Sequence, residues 1–571
     1  MQQQLMSSPP PANSALQRYD ARKIASYYRW RPWKALWRLI YIISLFNGFI
    51  WGLLWDRWTH TSTAHYPQRA IQIRKILTQL GPTFIKVGQA LSTRPDLIPK
   101  DFLTELMLLQ DQLPPFPNEQ AFAQIEAELR QPVREIYQEI SAQPVAAASL
   151  GQVYRGRLFT GEEVAIKVQR PNLRPKLTLD LYLMRWMAAR FGRFLPLNLG
   201  HDLTLIVDEF GTKLFEEIDY INEGQNAERF AENFKEYPAV EVPRIHWAYS
   251  GRKVLTLQWI NGFKLTDSQC AVEANMDPDR LVQIGVISSL RQLLEFGFFH
   301  ADPHPGNLFA TSEGSMAYVD FGMMDQLDQT TKNTLVDAVV HLVNKDYELL
   351  ATDFVKLGFL TPETDIRPII PALEDVFDDI IGAKVGDFNF KTITDRFSEL
   401  MYDYPFRVPA KFALIIRSLV TQEGVALCLN PDFKILEVSY PYVAQRLLAG
   451  ETPDFQRRLL EVLFKDGKFQ WQRLENLIAI AQTDQSFDLI PTARLGMQFL
   501  MSDEGDYLRR QVVLALIEDD RLHTEEVERL WNLIKGDLKP EKLFSVALGA
   551  LAEFSDSNLP EWLPRPPLPV S

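Results

Sequence analysis

Residues 300–322 read HADPHPGNLFATSEGSMAYVDFG, and this stretch decides how the rest of the chain is interpreted. It contains Asp302, then Asn307, then a predicted short β-hairpin, and then Asp320. Phosphoryl transfer needs a carboxylate that orients the acceptor's proton. It also needs an amide and a second carboxylate that hold metal ions on the phosphates. The stretch therefore predicts a metal–nucleotide site in which Asp302 is catalytic and Asn307 and Asp320 bind the metal.

The order of these residues is the protein-kinase order, in which H-x-D-x-x-x-x-N precedes a hairpin and D-F-G. Ala301 stands where the usual arginine would be, and prolines on both sides of His304 stiffen the loop. A turn merely braced by His300 and Asp302 is the simpler alternative, but it would not require YVDFG at this distance. A metal-hydrolase cluster of His300, Asp302 and His304 is another alternative, although nothing else in the sequence supplies a second metal shell. We expect His300 to brace the loop by hydrogen bonding.

Residues 143–168 read QPVAAASLGQVYRGRLFTGEEVAIKV and predict a β-hairpin. Its second strand ends in VAIK, so Lys167 is predicted to contact the α- and β-phosphates of a nucleotide. Kinases place glycines in the loop before this hairpin, because glycine lets backbone N–H groups approach phosphates closely. Here methyl groups are expected to restrict how the loop closes over ATP. The predicted loop residues are Ala146, Ala147, Ala148, Ser149 and Gly151.

A lysine in this position needs a carboxylate to hold it. A predicted helical insertion, LTLDLYLMRWMAARFGRFL, follows the hairpin, so the partner must come later in the chain. One helix is predicted over LIVDEFGTKLFEEIDYINEGQNAERFAENF, with Glu217, Asp219 and Glu223 as candidates, and helical spacing puts the last two on one face. The strand VLTLQWING then leads to a predicted hinge near Gln258 to Gly262, which makes Gln258 a candidate cofactor-binding residue.

The amino-terminal region has the composition of a membrane-contacting segment. Residues 18–38 carry seven cations against a single Asp20, with tyrosines and tryptophans interleaved. Residues 39–55 then read LIYIISLFNGFIWGLLW, a run of seventeen without charge that is at the short limit for spanning a bilayer. Cations and indoles beside an apolar run suit a lipid headgroup region. A helix packed on the protein's own core is the alternative, and spanning or peripheral contact are both open.

A polar cluster follows on helical segments predicted around Gly81-Pro82. A scaffold helix would not need these polar residues, although a solvated face is an equal alternative on physical grounds. The cluster consists of Lys86, Gly88, Gln89, Ser92, Arg94 and Asp96.

Composition excludes several classes of protein. With 571 residues, 46% hydrophobic and 23% charged, the chain is globular and long enough for two to four domains. Its net charge of −13 argues against nucleic acid as the main partner. The two cysteines, Cys270 and Cys428, provide no disulfide framework and fit a reducing compartment.

Taken together, these motifs resemble the UbiB family of atypical kinases, also called the ABC1 or ADCK family, over roughly residues 70–330. The family's KxGQ motif corresponds to residues 86–89, its alanine-rich loop to residues 146–151 and its ExD motif to residues 217–219. Its strand lysine is Lys167 and its helix glutamate is Glu223. The catalytic and metal residues match as well: Asp302, Asn307 and Asp320.

The resemblance implies an α+β, two-lobed protein-kinase-like fold with a helical extension at its amino terminus and additional helices at its carboxyl terminus. It implies that the KxGQ helix lies across the site, engages the ExD acids and closes the usual protein-substrate groove. It also implies ATP or ADP and Mg²⁺ as cofactors, with Lys167 and Glu223 sharing the catalytic role of Asp302. The residues expected to be regulatory are Lys86, Gly88, Gln89, Glu217 and Asp219.

The expected activity is that of an ATPase or small-molecule kinase in isoprenoid-quinone metabolism at membranes. Carboxy-terminal segments are similar to the extension of the plastid and cyanobacterial branch, which is linked to plastoquinone, tocopherol and related prenyl-lipids. The expected partners are a membrane lipid surface, a prenyl-quinone or other lipid, and quinone-biosynthesis proteins. We expect the catalytic domain on the cytoplasmic or stromal-type side. A nucleotide-gated binding protein without phosphotransfer is the alternative, and a conventional protein kinase is disfavoured.

The predicted organisation has seven parts. It runs from a disordered amino terminus to a proline-rich tail, with the two kinase-like lobes between helical extensions. The parts are a disordered segment 1–16, a membrane-associating segment 17–60, the KxGQ extension 61–140, an N-lobe 141–262 with a helical insertion, a C-lobe 263–435, a helical extension 436–555 and a tail 556–571.

Overall fold

The computed structural model describes most of the chain up to residue 430. The described ranges are 19–59, 62–92, 100–109, 114–192, 203–265, 276–343, 345–382 and 406–430, with short pieces as far as residue 469. The predicted disordered amino terminus, the proline-rich tail and almost all of the predicted extension 436–555 lie outside these residues, as do Arg94 and Asp96.

The chain divides into two compact units, and every residue predicted for the site lies in the first of them. The first unit is Met1–Gly285, Phe298–Gln326 and Val408–Pro431. The second is Val286–Gly297, Leu327–Arg407 and Asp432–Ser571.

Short strands form the frame of the first unit. They are β1 (Tyr137–Ile140), β2 (Ala146–Ala147), β3 (Gly151–Leu158), β4 (Glu163–Gln169), β5 (Val240–Glu241), β6 (Val254–Gln258), β7 (Gly262–Lys264), β8 (Phe298–His300), β9 (Leu308–Thr311), β10 (Met316–Tyr318) and β11 (Met324–Gln326). A further hairpin, β12 (Phe464–Lys465) with β13 (Lys468–Phe469), belongs to the second unit.

Five of the described strands make one antiparallel sheet in the order β1-β3-β4-β6, with β2 paired to β3. The predicted hairpin is confirmed as β3 and β4, and Gly161 adopts φ +88° in the turn between them. Val164, Ile166 and Val168 alternate along β4 and are fully buried in one core cluster. Lys167 lies between them in sequence, so it projects from the opposite face of the sheet.

The predicted hairpin inside residues 300–322 is confirmed as β9 and β10, which belong to a sheet with the order β5-β10-β9-β7 in the described chain. Strand β10 pairs in parallel with β5, and β7 closes the other edge. Strands β8 and β11 pair antiparallel on either side of this hairpin in sequence. The pairing brings the two ends of residues 300–322 close together, because His300 lies opposite Met324.

Helices surround these strands. They are α1 (Ala21–Arg29), α2 (Pro32–Trp58), α3 (Ser62–Leu80), α4 (Pro82–Leu91), α5 (Lys100–Met107), α6 (Asn118–Leu129), α7 (Val133–Ile136), α8 (Leu173–Phe191), α9 (Leu203–Glu217), α10 (Tyr220–Phe234), α11 (Pro278–Leu290), α12 (Gln329–Val343), α13 (Tyr347–Lys356), α14 (Ile369–Gly382) and α15 (Ala410–Leu429). The predicted insertion is confirmed as α8, and the predicted break at Gly81-Pro82 separates α3 from α4.

The single helix predicted over residues 205–234 is wrong. Helix α9 ends at Glu217, and α10 starts at Tyr220 with Asp219 as its N-cap, whose side chain accepts the backbone N–H of Ile221 at 3.2 Å. Aspartate is a favoured N-cap because its carboxylate satisfies an N–H that has no partner within the helix. Asp219 and Glu223 therefore do not share the face of one continuous helix.

Two sequence patterns in the second unit are misleading. The amphipathic pattern from Leu327 to about Phe359 predicts a helix, but the segment forms two helices, α12 and α13, and Asp346 caps the second by accepting the N–H of Leu349 at 3.4 Å. Pro371 predicts a break between helices, but this proline lies within the first turn of α14. Proline is tolerated there since backbone N–H groups of a first turn have no partner within the helix.

Among the described residues, two helices are long and apolar enough to cross a membrane: α2, and Lys411–Leu429 within α15. Along one side, α2 packs on α3, α4 and α8 in a core that contains Ile42, Leu77 and Leu183. Helix α15 lies in the first unit together with residues 300–322, and it is the more buried of the two.

Candidate nucleotide and metal site

Lys167, Glu223 and Asp320 come together in one ion-pair cluster, of which Glu223 is the buried member. The ammonium group of Lys167 donates to the carboxylate of Glu223, and its Nζ lies 3.3 Å from Oδ1 of Asp320. Glu223 reaches this point from the first turn of α10, and its backbone N–H donates to the carbonyl of Asp219 at 3.1 Å. The N-cap Asp219 sets where α10 begins, and the start of α10 places Glu223 close to Lys167.

The cluster keeps a strong charge separation. Burial opposes the charge on Lys167, but Asp320 and Glu223 outweigh it and raise the pKa of the ammonium group. Burial also opposes the ionisation of Asp320, yet the charge of Lys167 and the backbone N–H of Gly322 lower the pKa of its carboxyl well below the usual range. Burial raises the pKa of Glu223 to about 7, although Lys167 acts against this rise. Asp320 is therefore the carboxylate that stays ionised.

Asn307 joins Asp320 at the expected metal position. It ends a short 3-10 turn, Pro305–Asn307, and its side-chain N–H donates to Oδ2 of Asp320 at 3.0 Å. An ionised carboxylate beside an amide is a hard-oxygen donor set that suits Mg²⁺, which usually binds one or two protein carboxylates together with substrate phosphates. The described residues contain no cluster of three or more His, Cys, Asp or Glu side chains that could cage a metal. The donor set fits Mg²⁺ bound jointly with a nucleotide.

His300 is a brace, as expected. Its Nδ1 accepts the backbone N–H of Asp302 at 3.1 Å, and its Nε2 donates to the carbonyl of Asp320 at 2.9 Å. Burial lowers the pKa of this imidazole, which favours its neutral form. Since both ring nitrogens are engaged, His300 is not available as a metal ligand. The hydrolase alternative loses its first ligand for that reason.

Asp302 has a partner that the sequence analysis missed. Nη2 of Arg417, on α15, lies 2.9 Å from Oδ2 of Asp302, and each side chain is 17% exposed. No motif marks Arg417, but it interrupts the apolar segment FALIIRSLV. A half-buried arginine in such a helix needs an anion, and this is the signal that could have identified it.

The alanine loop is a closed turn rather than an open cradle. Ala146 and Ala147 pair with β3, and the N–H of Ala148 donates to the carbonyl of Gly151 at 2.8 Å. Nε of Arg170 donates to the carbonyl of Ala148 at 3.0 Å. Ser149 is buried within the turn. Backbone groups of this loop are therefore already hydrogen-bonded, to β3, to Gly151 and to the side chain of Arg170.

Gly151 is needed at the end of that turn for close packing. A Cβ at this position would lie 2.5 Å from the hydroxyl of Tyr220 and 2.6 Å from the carbonyl of Val168. A side chain would push β3 away from the start of α10, the helix that carries Glu223.

The KxGQ segment reaches the site through Lys86. Its ammonium group pairs with the carboxylate of Glu217, and both side chains are nearly buried. A Cβ on Gly322 would lie 3.5 Å from Cγ of Glu217 and 3.4 Å from Oδ1 of Asp320, so this pair adjoins the DFG segment. Helix α4 is thereby held beside the predicted metal position.

Three other predicted residues lie outside the ion-pair cluster. Gly88 permits close packing, because a Cβ there would lie 2.2 Å from Leu109. Nε2 of Gln89 donates to the carbonyl of the same Leu109 at 2.6 Å. The carboxylate of Asp219 pairs with Arg252 at 2.6 Å, besides capping α10.

Gln258 lies at the exposed end of β6, just before the three residues that lead to β7. Its side-chain oxygen accepts the N–H of Arg244 at 3.3 Å, and its own N–H donates to the carbonyl of Arg244 at 2.8 Å. Its side chain therefore holds the neighbouring segment, and its predicted role in cofactor binding stays a prediction.

The chain is similar to known proteins over most of its length. The sequence matches the ABC1 atypical kinase-like domain over residues 108–354 and the UbiB helical domain over residues 373–434. An uncharacterized protein of Synechocystis sp. is 66% identical over 98% of this chain and 99% of its own length. Protein ACTIVITY OF BC1 COMPLEX KINASE 1, chloroplastic, of Arabidopsis thaliana is 47% identical over 88% of this chain and 76% of its own length.

Among solved structures, the erythromycin complex of a Mycobacterium tuberculosis protein is 26% identical, with a TM-score of 0.44 over 60% of this chain and 87% of that one. The family assignment depends on the sequence matches alone. They confirm the α+β kinase-like fold and the predicted family. The chain belongs to the ABC1 family of atypical kinase-like proteins, and it carries that family's UbiB helical domain.

Proposed function

We propose that the protein is a Mg-ATP-dependent phosphotransferase or ATPase that acts at a membrane. The observation that carries the proposal is the cluster of Lys167, Glu223, Asp320 and Asn307, with Asp302 on the adjoining loop. A lysine held by a buried glutamate and facing an ionised carboxylate is the arrangement that positions nucleotide phosphates and metal for transfer.

Each residue then has one role. Lys167 binds the α- and β-phosphates, and Glu223 keeps its ammonium group in place. Asp320 and Asn307 hold Mg²⁺, which neutralises charge on the phosphate oxygens when it is bound with ATP. Asp302 orients the attacking water or hydroxyl group.

The acceptor that we propose is water or a small lipid-linked hydroxyl rather than a protein side chain. The Lys86–Glu217 pair beside the DFG segment and the closed alanine turn both support a restricted site. The resemblance to the UbiB family suggests an isoprenoid quinone or another prenyl-lipid, such as plastoquinone or tocopherol. The chloroplastic relatives and the apolar α2 support action at a membrane, with quinone-biosynthesis proteins as candidate partners.

Turnover of ATP by the purified full chain tests the proposal. We expect Asp320→Asn to lower kcat in excess Mg²⁺ by about a hundredfold, because metal charge stabilisation is worth several kcal/mol. Asp365→Asn is a matched control, since that carboxylate forms an exposed pair with Arg367. Turnover by Asp320→Asn at the wild-type rate would show that the metal assignment is wrong. Repeating the assay with liposomes and prenyl-quinone head-group compounds tests the acceptor.

A nucleotide-gated binding protein is the second candidate, and the Asp302–Arg417 ion pair favours it. In this arrangement the predicted catalytic carboxylate is engaged with a cation and not directed only at an acceptor. Nucleotide binding without turnover, even with membranes and prenyl-lipids present, would support this candidate over the enzyme.

A further inference from the structure

Helix α2 has two faces that differ in what they contact. Ile42 and Asp56 on its inner face are buried, and Arg38 and Phe49 are partly buried there. The outer face is exposed along the whole length of the helix and is mostly apolar, although Lys34, Ser44, Asn47 and Arg57 are exposed as well. Its exposed large residues are Trp33, Leu36, Trp37, Ile40, Tyr41, Ile43, Ile50, Trp51, Leu54, Trp55 and Trp58.

The inner face follows α3 from end to end. At one end, Nη2 of Arg38 donates to the carbonyl of Leu80 at 2.8 Å. At the other end, the carboxylate of Asp56 accepts from Nε of Arg69 at 2.7 Å. Between these contacts, Ile42 shares a core cluster with residues of α3. The two helices therefore lie side by side and antiparallel.

Polar groups of α3 lie against the middle of the apolar run. A Cβ on Gly52 would lie 2.1 Å from the guanidinium of Arg69, and a Cβ on Gly48 would lie 3.9 Å from the amide of Gln72. The next turn of α3 carries Arg74, which pairs with Glu105 of α5 at 2.7 Å. If α2 crossed a bilayer, these polar groups would have to enter hydrocarbon with it. Charged groups at that depth are costly.

We propose that α2 lies in the plane of a membrane interface, with its outer face among the lipids and its inner face on the protein. An apolar face of tryptophan and isoleucine suits the boundary between headgroups and acyl chains, where such helices enter by about 5–10 Å. The length and hydropathy of α2 are sufficient for a membrane span. Its contacts with α3 nevertheless assign it an orientation parallel to the membrane surface.

The lipids that fit this surface are anionic. The chain is acidic overall, yet α1 and the start of α2 carry exposed cations beside the tryptophans. Cations placed at the headgroup level are attracted electrostatically to anionic lipids, and lipids without net charge offer no such attraction. These exposed cations are Arg22, Lys23, Arg29 and Lys34.

Binding is measured by flotation of the full chain with phosphatidylcholine vesicles, with and without phosphatidylglycerol. Since no nucleotide is added, failure here is independent of failure of the proposed phosphotransferase activity. We expect binding only to the anionic vesicles, and we expect the Trp37→Ala, Trp51→Ala double variant to bind about tenfold more weakly, which corresponds to 1.4 kcal/mol. Phe159→Ala, at an exposed aromatic residue in the β3–β4 turn, is the control. Equal binding by the double variant and wild type would overturn the docking surface.

Orientation is measured by labelling two exposed positions on the outer face, Ile40→Cys and Leu54→Cys, each with a spin label and with Cys270 and Cys428 replaced by serine. An in-plane helix places both labels at the same depth. A spanning helix separates them by about 21 Å, because fourteen residues rise 1.5 Å each. Unequal depths of that size overturn the proposal, and so do two labels that remain in water on vesicle-bound protein.

Discussion

Arg417 neutralises the carboxylate that is predicted to orient the acceptor. The pair joins Asp302, which follows β8, to α15, so the helical domain contributes directly to the candidate site. A partly buried carboxylate without this partner would lose its orientation, and removing one member of such a pair leaves the other uncompensated. If Asp302 orients the acceptor as proposed, Arg417 acts through it as a positioning residue; in the nucleotide-gated alternative the same pair keeps the carboxylate from an acceptor.

We expect Arg417→Gln to lower kcat for ATP by about ten- to a hundredfold, because a hydrogen bond to a charged group is worth about 1.5–3 kcal/mol. The KM for ATP should change little, since Arg417 pairs with Asp302, whereas Lys167, the residue predicted to bind the phosphates, pairs with Glu223 and Asp320. Arg417→Lys should recover part of kcat, and Arg367→Gln, in an exposed pair, should have no effect. Wild-type kcat in Arg417→Gln, or a loss explained by melting of the variant, would contradict this role.

The spacing of residues was enough to predict Lys167, Asn307 and Asp320, because each belongs to a local motif with its own chemistry. Glu223 was one of three candidate acids, and only the resemblance to the UbiB family singled it out. Their mutual contacts are seen in the structure. Arg417 could not be predicted in the same way. It meets Asp302 only through tertiary packing, and a single arginine in an apolar segment does not specify its partner.

At the scale of elements, the pairing of β2 with β3 restrains the alanine loop, in addition to the steric effect expected of its methyl groups. Strand β2 has only two residues, and the turn after it closes on Gly151 and Arg170. Such a short strand depends on every paired residue. Opening the loop over a triphosphate must therefore compete with this pairing.

Replacing Ala147 with glycine should loosen the loop and raise the affinity for ATP. Glycine in a strand costs roughly 0.5–1 kcal/mol relative to alanine, which corresponds to about a two- to fivefold change in population. The dissociation constant of Mg-ATP, measured by equilibrium titration, should fall by about that factor. Gly161, in the turn on the far side of the hairpin, supplies the control as Gly161→Ala, which alters a position with φ +88° without altering the loop. An unchanged affinity in Ala147→Gly would mean that the Lys86 segment alone sets the restriction.

The break between α9 and α10 shows why periodicity predicted one helix where there are two. Apolar residues continue through the break at helical spacing, so the pattern gives no sign of it. The break is instead marked by the N-cap of α10. Asp219 accepts the N–H of Ile221 and also pairs with Arg252. Capping chemistry is local, but Arg252 is distant in sequence, and only the fold brings it there.

At the scale of the first unit, a series of contacts connects the outer helix α2 with the predicted metal position. Arg38 of α2 donates to both oxygens of Asp180 on α8, at 2.8 and 3.0 Å. Thr83 of α4 donates to the same carboxylate at 2.8 Å. One turn further along α4, Lys86 pairs with Glu217 beside the DFG segment. A displacement of α2 can therefore be transmitted to α4 through the hydrogen bonds that Arg38 and Thr83 share with Asp180.

If α2 docks on lipid as proposed, this route predicts that anionic vesicles change the rate of ATP turnover. Coupling between two sites is typically worth 1–3 kcal/mol, so we expect a change of about fivefold or more. Thr83→Val removes one donor to the buried Asp180 while keeping the shape of the side chain. Vesicle binding should then remain at the wild-type level, while the ratio of turnover with vesicles to turnover without them should fall towards one. Thr78→Val is the matched control, because Thr78 donates within its own helix α3, to the carbonyl of Arg74 at 2.9 Å. A wild-type ratio in Thr83→Val would exclude the Arg38–Asp180–Thr83 contacts as the route, even if α2 binds lipid as expected.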